Sequence, residues 1–404
     1  MMNKFDTKII TITERLGFKL ALFSAAMMTI LGPTLITPAL PAIYREFSDT
    51  PHIELLVGLS VTIPALFMMC LTPLAGILMD KFGRLKFLYP AMIFWVIAGC
   101  AGAWCDDIYS LLASRCVLGI ASSFITTAAS ALLGDYYAVG DGRREKALSL
   151  QGFVMALGGA GLTIIAGYLA SFSWHYVFYV YASGICIFIL CIFYLFEPRI
   201  LRKNTQILQQ DSKVDYKNFI KIYFAGFFVM MIYYLAGVQF PHYIENILGL
   251  EEKYIGLAMA IPGIFYAFSA YFYKNLRIFL SIESIYVYAF VFESLGFFLV
   301  ALIDDFIVTC CALAIFGIVG GIITTNNSNY LFSIAKPQVR ARAYGGLASC
   351  LFFGQFISPI ITTPIVLAIG FQAQFYLWAG MIMLVALVYL KNAKNGVAIH
   401  REHK

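Results

Sequence analysis

The amino-acid sequence predicts an all-α polytopic membrane protein with twelve transmembrane helices in two pseudo-symmetric six-helix bundles. Three observations lead there. Of the 404 residues, 61% are hydrophobic and 12% charged, about half the charge of a typical soluble domain. The apolar residues are gathered into blocks of about 18–25, the length a helix rising 1.5 Å per residue needs to cross a hydrocarbon layer roughly 30 Å thick. The longest polar interruption, residues 197–218, divides six blocks from six.

The blocks run over residues 17–40, 53–79, 87–105, 108–134, 147–170, 176–196, 219–244, 254–273, 283–303, 306–333, 343–368 and 371–390. The first is too long for a cleavable signal and lacks a suitable small-residue site, so it is expected to serve as its own signal anchor. Lysine and arginine are retained on the cytoplasmic side of a membrane. All of the 28 except Arg45, Lys253 and Arg115 fall in the N-terminal segment, the even-numbered loops or the C-terminal tail. The odd loops carry Asp49, Asp106, Asp107, Glu251, Glu252, Asp304 and Asp305 instead. Both termini of an inner (plasma) membrane protein are therefore expected in the cytoplasm. The net charge of +6 expresses topology, and no nucleic-acid partner is implied. Trp104 and Trp174 fall near the outer boundaries, where interfacial tryptophans gather.

Nine cysteines lie within or at the ends of apolar blocks and form no CxxC pair. They read as small hydrophobes, and neither a metal nor a cofactor is expected. A Cys100–Cys105 link would be strained along one helix.

Residues 1–196 and 219–404 read as the two bundles, joined by a cytoplasmic linker at 197–218, EPRILRKNTQILQQDSKVDYKN. An offset of 198 lays GIASSFITTAA (119–129) over GIVGGIITTNN (317–327) and Arg144 over Arg342. A parallel repeat of six spans is an organisation that alternating-access transporters use.

Between the second and third spans stands Gly76-Ile77-Leu78-Met79-Asp80-Lys81-Phe82-Gly83-Arg84. Gly76 would let span two approach a neighbouring backbone, and Gly83 permits a tight turn. Asp80, at the membrane edge, is costly to leave unpaired; Arg84, Arg143 and Arg144 are available to it. This stretch resembles G-x-L-x-D-R/K-x-G-R of the major facilitator superfamily, in the place where that family carries it. The second basic residue is shifted by one, Leu85 being followed by Lys86. TPALPAIYREF (37–47) and LLASRCVLGIASS (111–123) resemble the twelve-span drug:proton antiporter group of that family. The glycine-rich motif of span five is eroded: Gly158 and Gly167 stand, while Leu162, Thr163 and Ala166 replace two glycines and a proline.

The resemblance implies the major facilitator fold and a charge cluster that latches the N-terminal half against span eleven. Gly76, Asp80, Gly83, Arg84, Asp135 and Arg144 are its candidate members. A merely solvated positive loop would account for Lys81 and Lys86 but not for Asp80 with two placed glycines.

Arg115 lies inside a span, where a guanidinium costs roughly 2.5–3.5 kcal/mol unless a wet cavity or a partner receives it. The resemblance places it toward a central cavity, facing substrate; the alternative is bonding to backbone carbonyls of a broken span one near Pro33. Spans one, two and five hold no Asp or Glu in their interiors, so a lone positive cavity favours an anionic or zwitterionic cargo. Glu293 is the one acid near the middle of a span. It is the candidate proton carrier, against an interhelical hydrogen bond made by the protonated acid. On spans that line the cavity in the resembling family, Thr34, Tyr233, Tyr234, Gln239, Asn326, Asn327 and Gln355 are candidate substrate ligands, with Thr37, Thr324, Thr325 and Ser358 beside them. The adjacent Asn326 and Asn327 need hydrogen-bond partners in lipid, and they either bind cargo or glue helices. Pro33, Pro64, Pro262, Pro359 and Pro364 would kink their spans.

These readings favour a secondary active transporter that exports a small organic solute, drug-like or an anionic metabolite or siderophore, by alternating access driven by protons. A proton symporter importing an organic acid or siderophore-like anion is the alternative. No GxxxxGK[ST] loop provides for ATP. A membrane enzyme would need a histidine, acid or metal constellation, and His52, His175 and His242 stand singly. The expected partners are cargo, protons and the lipid bilayer, and the expected state is a monomer.

Overall fold

The computed structural model describes residues 10–137, 143–197, 216–336 and 339–402, and all regular structure among them is helical. The chain divides into two compact units, Met1–Lys213 and Val214–Lys404. Glu197, expected to begin the linker, belongs by its bonds to the first unit, as shown below.

In the first unit, spans one to six are Leu16–Glu46, Ile53–Phe82, Leu85–Trp104, Ile108–Tyr136, Lys146–Ala170 and Trp174–Tyr194. Spans seven to ten, in the second unit, are Ile220–Asn246, Glu252–Phe279, Ile282–Leu302 and Phe306–Ile334. One apolar segment of 50 residues, Arg342–Lys391, follows. Gly370 within it has φ 79°, a left-handed conformation that interrupts the helix, and the blocks expected at 343–368 and 371–390 flank that glycine. They are spans eleven and twelve.

Span one is not a continuous helix. The helix Leu16–Thr34 contains Pro33, a 3-10 turn covers Thr37–Ala39 with Pro38 inside it, and Leu40–Glu46 resumes with Pro41 in its first turn. Pro33, inside its helix, lacks an N–H and withholds one ladder bond, while Pro38 and Pro41 occupy first-turn positions, where a helical N–H would have no partner within the helix. Thr34 and Thr37 turn their hydroxyls back onto the carbonyls of Ile30 (3.0 Å) and Pro33 (3.3 Å).

The repeat of 198 residues extends to three-dimensional contacts. Span four begins at Asp107, whose carboxylate accepts from Tyr109 N–H and Ser110 N–H at 2.8 Å each. Span ten begins at Asp305, which accepts from Ile307 N–H (2.7 Å) and Val308 N–H (3.1 Å). Both are side-chain caps that satisfy orphan donors of a first helical turn. Further in, Gly119 of span four lies on Pro64 of span two, and Gly317 of span ten lies on Pro262 of span eight. A β-carbon on Gly119 would stand 2.6 Å from the Pro64 Cα, and one on Gly317 would stand 2.8 Å from the Pro262 Cα. These glycines let two backbones touch, the packing that drives helix association where no hydrophobic effect operates.

Gly76 does not play the part its position suggested. A β-carbon there would meet only the Thr127 Cγ2, at an ordinary 3.9 Å, so the close approach of spans two and four falls at Gly119 instead. Gly83 has φ 105° and does require glycine.

The second unit packs around an aromatic core. Phe240 meets Phe297, Phe316 and Phe375 with ring centroids 5.1–6.4 Å apart, joining spans seven, nine, ten and twelve.

These contacts yield a sharp contrast between glycines. Gly119→Val and Gly317→Val should each lower unfolding stability by about 1–3 kcal/mol through overpacking. Gly76→Ala should stay within about 0.5 kcal/mol of the parent, as read from chemical unfolding in detergent.

Candidate functional site

The loop after span two is built around the start of the helix Leu85–Ala101. The first N–H groups of a helix have no partner within it. Here Glu197 supplies one: its two carboxylate oxygens accept from Arg84 N–H (2.8 Å) and Leu85 N–H (2.9 Å). A negative group at a helix N-terminus also complements the helix dipole. Gly83 is what admits the acid, since a β-carbon there would stand 3.2 Å from its Oε1. The Arg84 side chain pairs with Asp135 and donates to the Ala131 carbonyl, both near the end of span four. Asp80 is exposed and makes no hydrogen bond or ion pair with a described residue. The Arg144 side chain lies outside the described residues. Arg143 instead reaches the N-terminal segment, donating to Thr13 Oγ1 (2.9 Å) and Glu14 Oε1 (2.8 Å). Lys19 first, and Arg143 next, hold the Glu14 carboxyl below the usual range.

Arg115 stands at the other end of the same helix. The last carbonyls of a helix are unpartnered, and Arg115 Nη2 donates to two of them, Ala98 (3.2 Å) and Gly99 (3.1 Å). Its Nη1 donates to the Tyr181 hydroxyl (3.0 Å) and its Nε to Ser114 Oγ (3.3 Å). The guanidinium lies 5.1 Å from the ring centres of both Phe178 and Tyr181, a cation–π enclosure. Tyr181 passes the linkage on, donating to the Gly32 carbonyl of span one (2.6 Å). Arg115 therefore joins spans three, four and six directly and span one through a tyrosine. At 0% exposure it is not placed to meet cargo. Carbonyl bonding is what surrounds it, but span three supplies the carbonyls, because its helix ends there while span one offers only Gly32.

The two asparagines of span ten are also fully buried. Asn326 accepts from the Tyr273 hydroxyl (2.7 Å) and donates to the Ile282 carbonyl (3.1 Å). Asn327 accepts from the Tyr286 hydroxyl (2.5 Å). The pair binds spans eight, nine and ten together, the helix-gluing alternative of the sequence reading. Gln239 does the same between spans seven and eleven, donating to Thr363 Oγ1 at 3.3 Å and more weakly to Thr362 Oγ1 at 3.5 Å. Thr34 spends its hydroxyl on its own helix, as above.

What remains of the candidate cargo set is a group of half-buried side chains in the second unit: Tyr233, Tyr234 and Gln355. Among the described residues, Gln355 bonds only the Met230 sulfur, at 3.8 Å. The rings of Tyr233 and Tyr234 are 6.0 Å apart, and Tyr266 from span eight stands 6.3 Å from Tyr233. Gly320 makes the cluster possible: a β-carbon there would lie 3.2–3.3 Å from both the Tyr266 and the Tyr233 rings. Tyr266 was not singled out by the sequence, and with 25 tyrosines in the chain nothing there marks it. Three half-buried tyrosine rings on two helices can stack on a flat cargo, and Tyr233 and Tyr234 can offer it hydroxyls.

Glu293 is 1% exposed in the core of the second unit, and its Oε2 has no partner among the described residues. One turn to either side, Phe290 packs on Phe228 and Tyr389, and Phe297 on Phe316. No described lysine, arginine or histidine pairs with it. Among the described residues no group of three His, Cys, Asp or Glu could hold a metal.

The model of the Major Facilitator Superfamily matches residues 22–219 and 222–401 of this chain. The chain is 23% identical over 372 residues to the class B tetracycline resistance protein of Escherichia coli, covering 90% of each. It is 25% identical over 373 residues to the quinolone resistance protein NorA of Staphylococcus aureus, covering 86% of this chain and 92% of NorA. The crystal structure of the nucleoside transporter NupG superposes with a TM-score of 0.73 at 13% identity, over 93% of this chain and 98% of that one.

The bonds at Glu197 carry a direct prediction. Glu197→Ala should cost about 1–2 kcal/mol in unfolding stability, the loss of a charged helix cap. Asp80→Asn, which removes no bond, should leave the same unfolding curve unmoved.

Proposed function

Since this chain belongs to the major facilitator superfamily, and is an integral membrane transporter and not an enzyme, we propose that it expels a small organic solute by alternating access in exchange for protons. The observation that carries the reading is the tyrosine cluster of Tyr233, Tyr234 and Tyr266, half-buried where most other polar groups of the candidate set are consumed by helix packing. The names of two relatives that match along most of their length, for tetracycline and quinolone resistance, support export of a drug-like solute. The anionic preference inferred from Arg115 loses its basis once the guanidinium is spent on carbonyls and Tyr181. A flat cargo held by stacking and neutral hydrogen bonds fits the side chains better. Glu293, a buried acid with no basic partner among the described residues, is the proposed proton carrier. Asp80, exposed at the end of span two, is the proposed moving half of the latch, and Arg84 with Asp135 its fixed half. Both termini are proposed to face the cytoplasm.

Everted vesicles with an imposed inward-acid pH gradient test the direction. Aromatic cargo should accumulate inside as protons leave; cargo that leaves along with the protons would mean import by symport. Tyr266→Ala should weaken cargo binding about three- to tenfold. Asp80→Asn should slow turnover at unchanged affinity. Glu293→Gln should flatten the pH dependence of flux, and an unaltered pH profile would remove Glu293 from the proton path.

A further inference from the structure

The second unit carries two apolar grooves on its outer surface that nothing in the transport reading uses. One, of about 490 Å³, runs between spans eight and ten, past Phe265, Phe272 and Phe279. The other, of about 400 Å³, runs along span nine from Ile285 to Leu295. Leu276, Ile318 and Ile322 line both, so the two lie side by side.

Their depth is that of one leaflet. The stretch Ile285–Leu295 covers ten residue steps, about 15 Å at 1.5 Å per residue, half of a hydrocarbon core roughly 30 Å thick. Ile318 and Ile322 stand at the middle of span ten, Phe306–Ile334, where the bilayer midplane falls. At their other end the grooves open where span eight stops. Arg277 is exposed there, and its Nη1 donates to the Leu280 carbonyl at 2.7 Å. That bond holds the guanidinium at the mouth of the groove that Leu280 lines. Asn275, also exposed, lines the mouth of the other. The nearby acid, Glu283, interacts with Tyr330 of span ten. Phe279 is 83% exposed, an aromatic at the level where headgroups begin.

Two adjacent apolar channels of leaflet depth, with a guanidinium bonded at the mouth of one of them, match a single molecule. We propose that this face binds an anionic diacyl phospholipid, its two chains lying in the two grooves and its phosphate held by Arg277. Arginine suits this because its planar donors fit phosphate oxygens bidentately. Lys274, one turn before Arg277, is a built-in control: its ammonium is turned back to lie 6.0 Å over the ring of Tyr271, and neither residue lines a groove.

Delipidated protein in neutral detergent, titrated with dioleoylphosphatidylglycerol or dioleoylphosphatidylcholine and read by native mass spectrometry, tests the assignment. The anionic lipid should bind about fivefold more tightly than the zwitterionic one, the worth of one basic residue at a headgroup. Arg277→Gln should abolish that preference and Lys274→Gln should keep it. Ile318→Trp, which fills the shared wall, should weaken both lipids. Equal binding of the two lipids by the wild type, or equal loss of preference in Arg277→Gln and Lys274→Gln, overturns the proposal. So does a concentration-dependent dimer that Ile318→Trp abolishes and lipid does not displace, which would assign the face to a second copy of the chain. The surface variants at 274 and 277 decide the matter even if Ile318→Trp does not fold.

Discussion

A helix in lipid ends with unpaired N–H groups at one terminus and unpaired carbonyls at the other, and hydrocarbon offers neither a partner. The helix Leu85–Ala101 meets this constraint with two borrowed charges, one from the segment just after span six and one from span four. Glu197 accepts at its positive end, and Arg115 donates at its negative end. Each charge is satisfied by backbone groups and opposes the helix dipole in the favourable sense. Through Tyr181 the second of them also fixes the proline-broken turn of span one. Four spans of the first unit thus depend on one guanidinium, and the span-two loop depends on one carboxylate.

The second unit solves the same problem differently. The two halves share their steric devices at a spacing of 198 residues: capping Asp107 and Asp305, Gly119 on Pro64, Gly317 on Pro262. They do not share their charges. The position equivalent to Arg115 is Leu313, fully buried, and those equivalent to Asn326 and Asn327 are Ala128 and Ala129. Where the first unit ties helices together with an ionic clasp, the second uses two neutral amides and two tyrosine hydroxyls. Backbone contact geometry persisted across the repeat while polar linkage diverged, consistent with each unit having to satisfy its own buried groups.

Periodicity and composition made the architecture legible. Block length located the spans, and even the break at Gly370 lies between two blocks that hydropathy separates. The local turn chemistry of Gly83 was legible too, because a left-handed φ is a property of one residue. What could not be read were side-chain partners across helices. Arg115 and Ser114 are neighbours in sequence, but Tyr181 is 66 residues away, and whether an intramembrane arginine meets cargo or carbonyl depends on helix rotation, which pattern alone does not fix. Glu197 looked like the first residue of a polar linker because nothing in EPRILRK shows that its carboxylate reaches a helix end 112 residues earlier. Gly76 and Gly119 are alike in sequence; only the position of Pro64 makes one of them indispensable. Tyr266 was hidden among many similar residues.

The functional consequence is a division of labour. The enclosed charges of the first unit, Arg115, Glu197 and the Arg84–Asp135 pair, are bonded within the fold, and cargo recognition is proposed for neutral aromatic side chains of the second. The most direct test is a double-mutant cycle on Arg115→Gln and Tyr181→Phe, with unfolding free energy and cargo affinity measured on the same four proteins. A clasp predicts coupling of about 1–3 kcal/mol in unfolding and the same cargo affinity in every variant that folds. Additive stabilities together with a loss of cargo affinity confined to Arg115→Gln would contradict it.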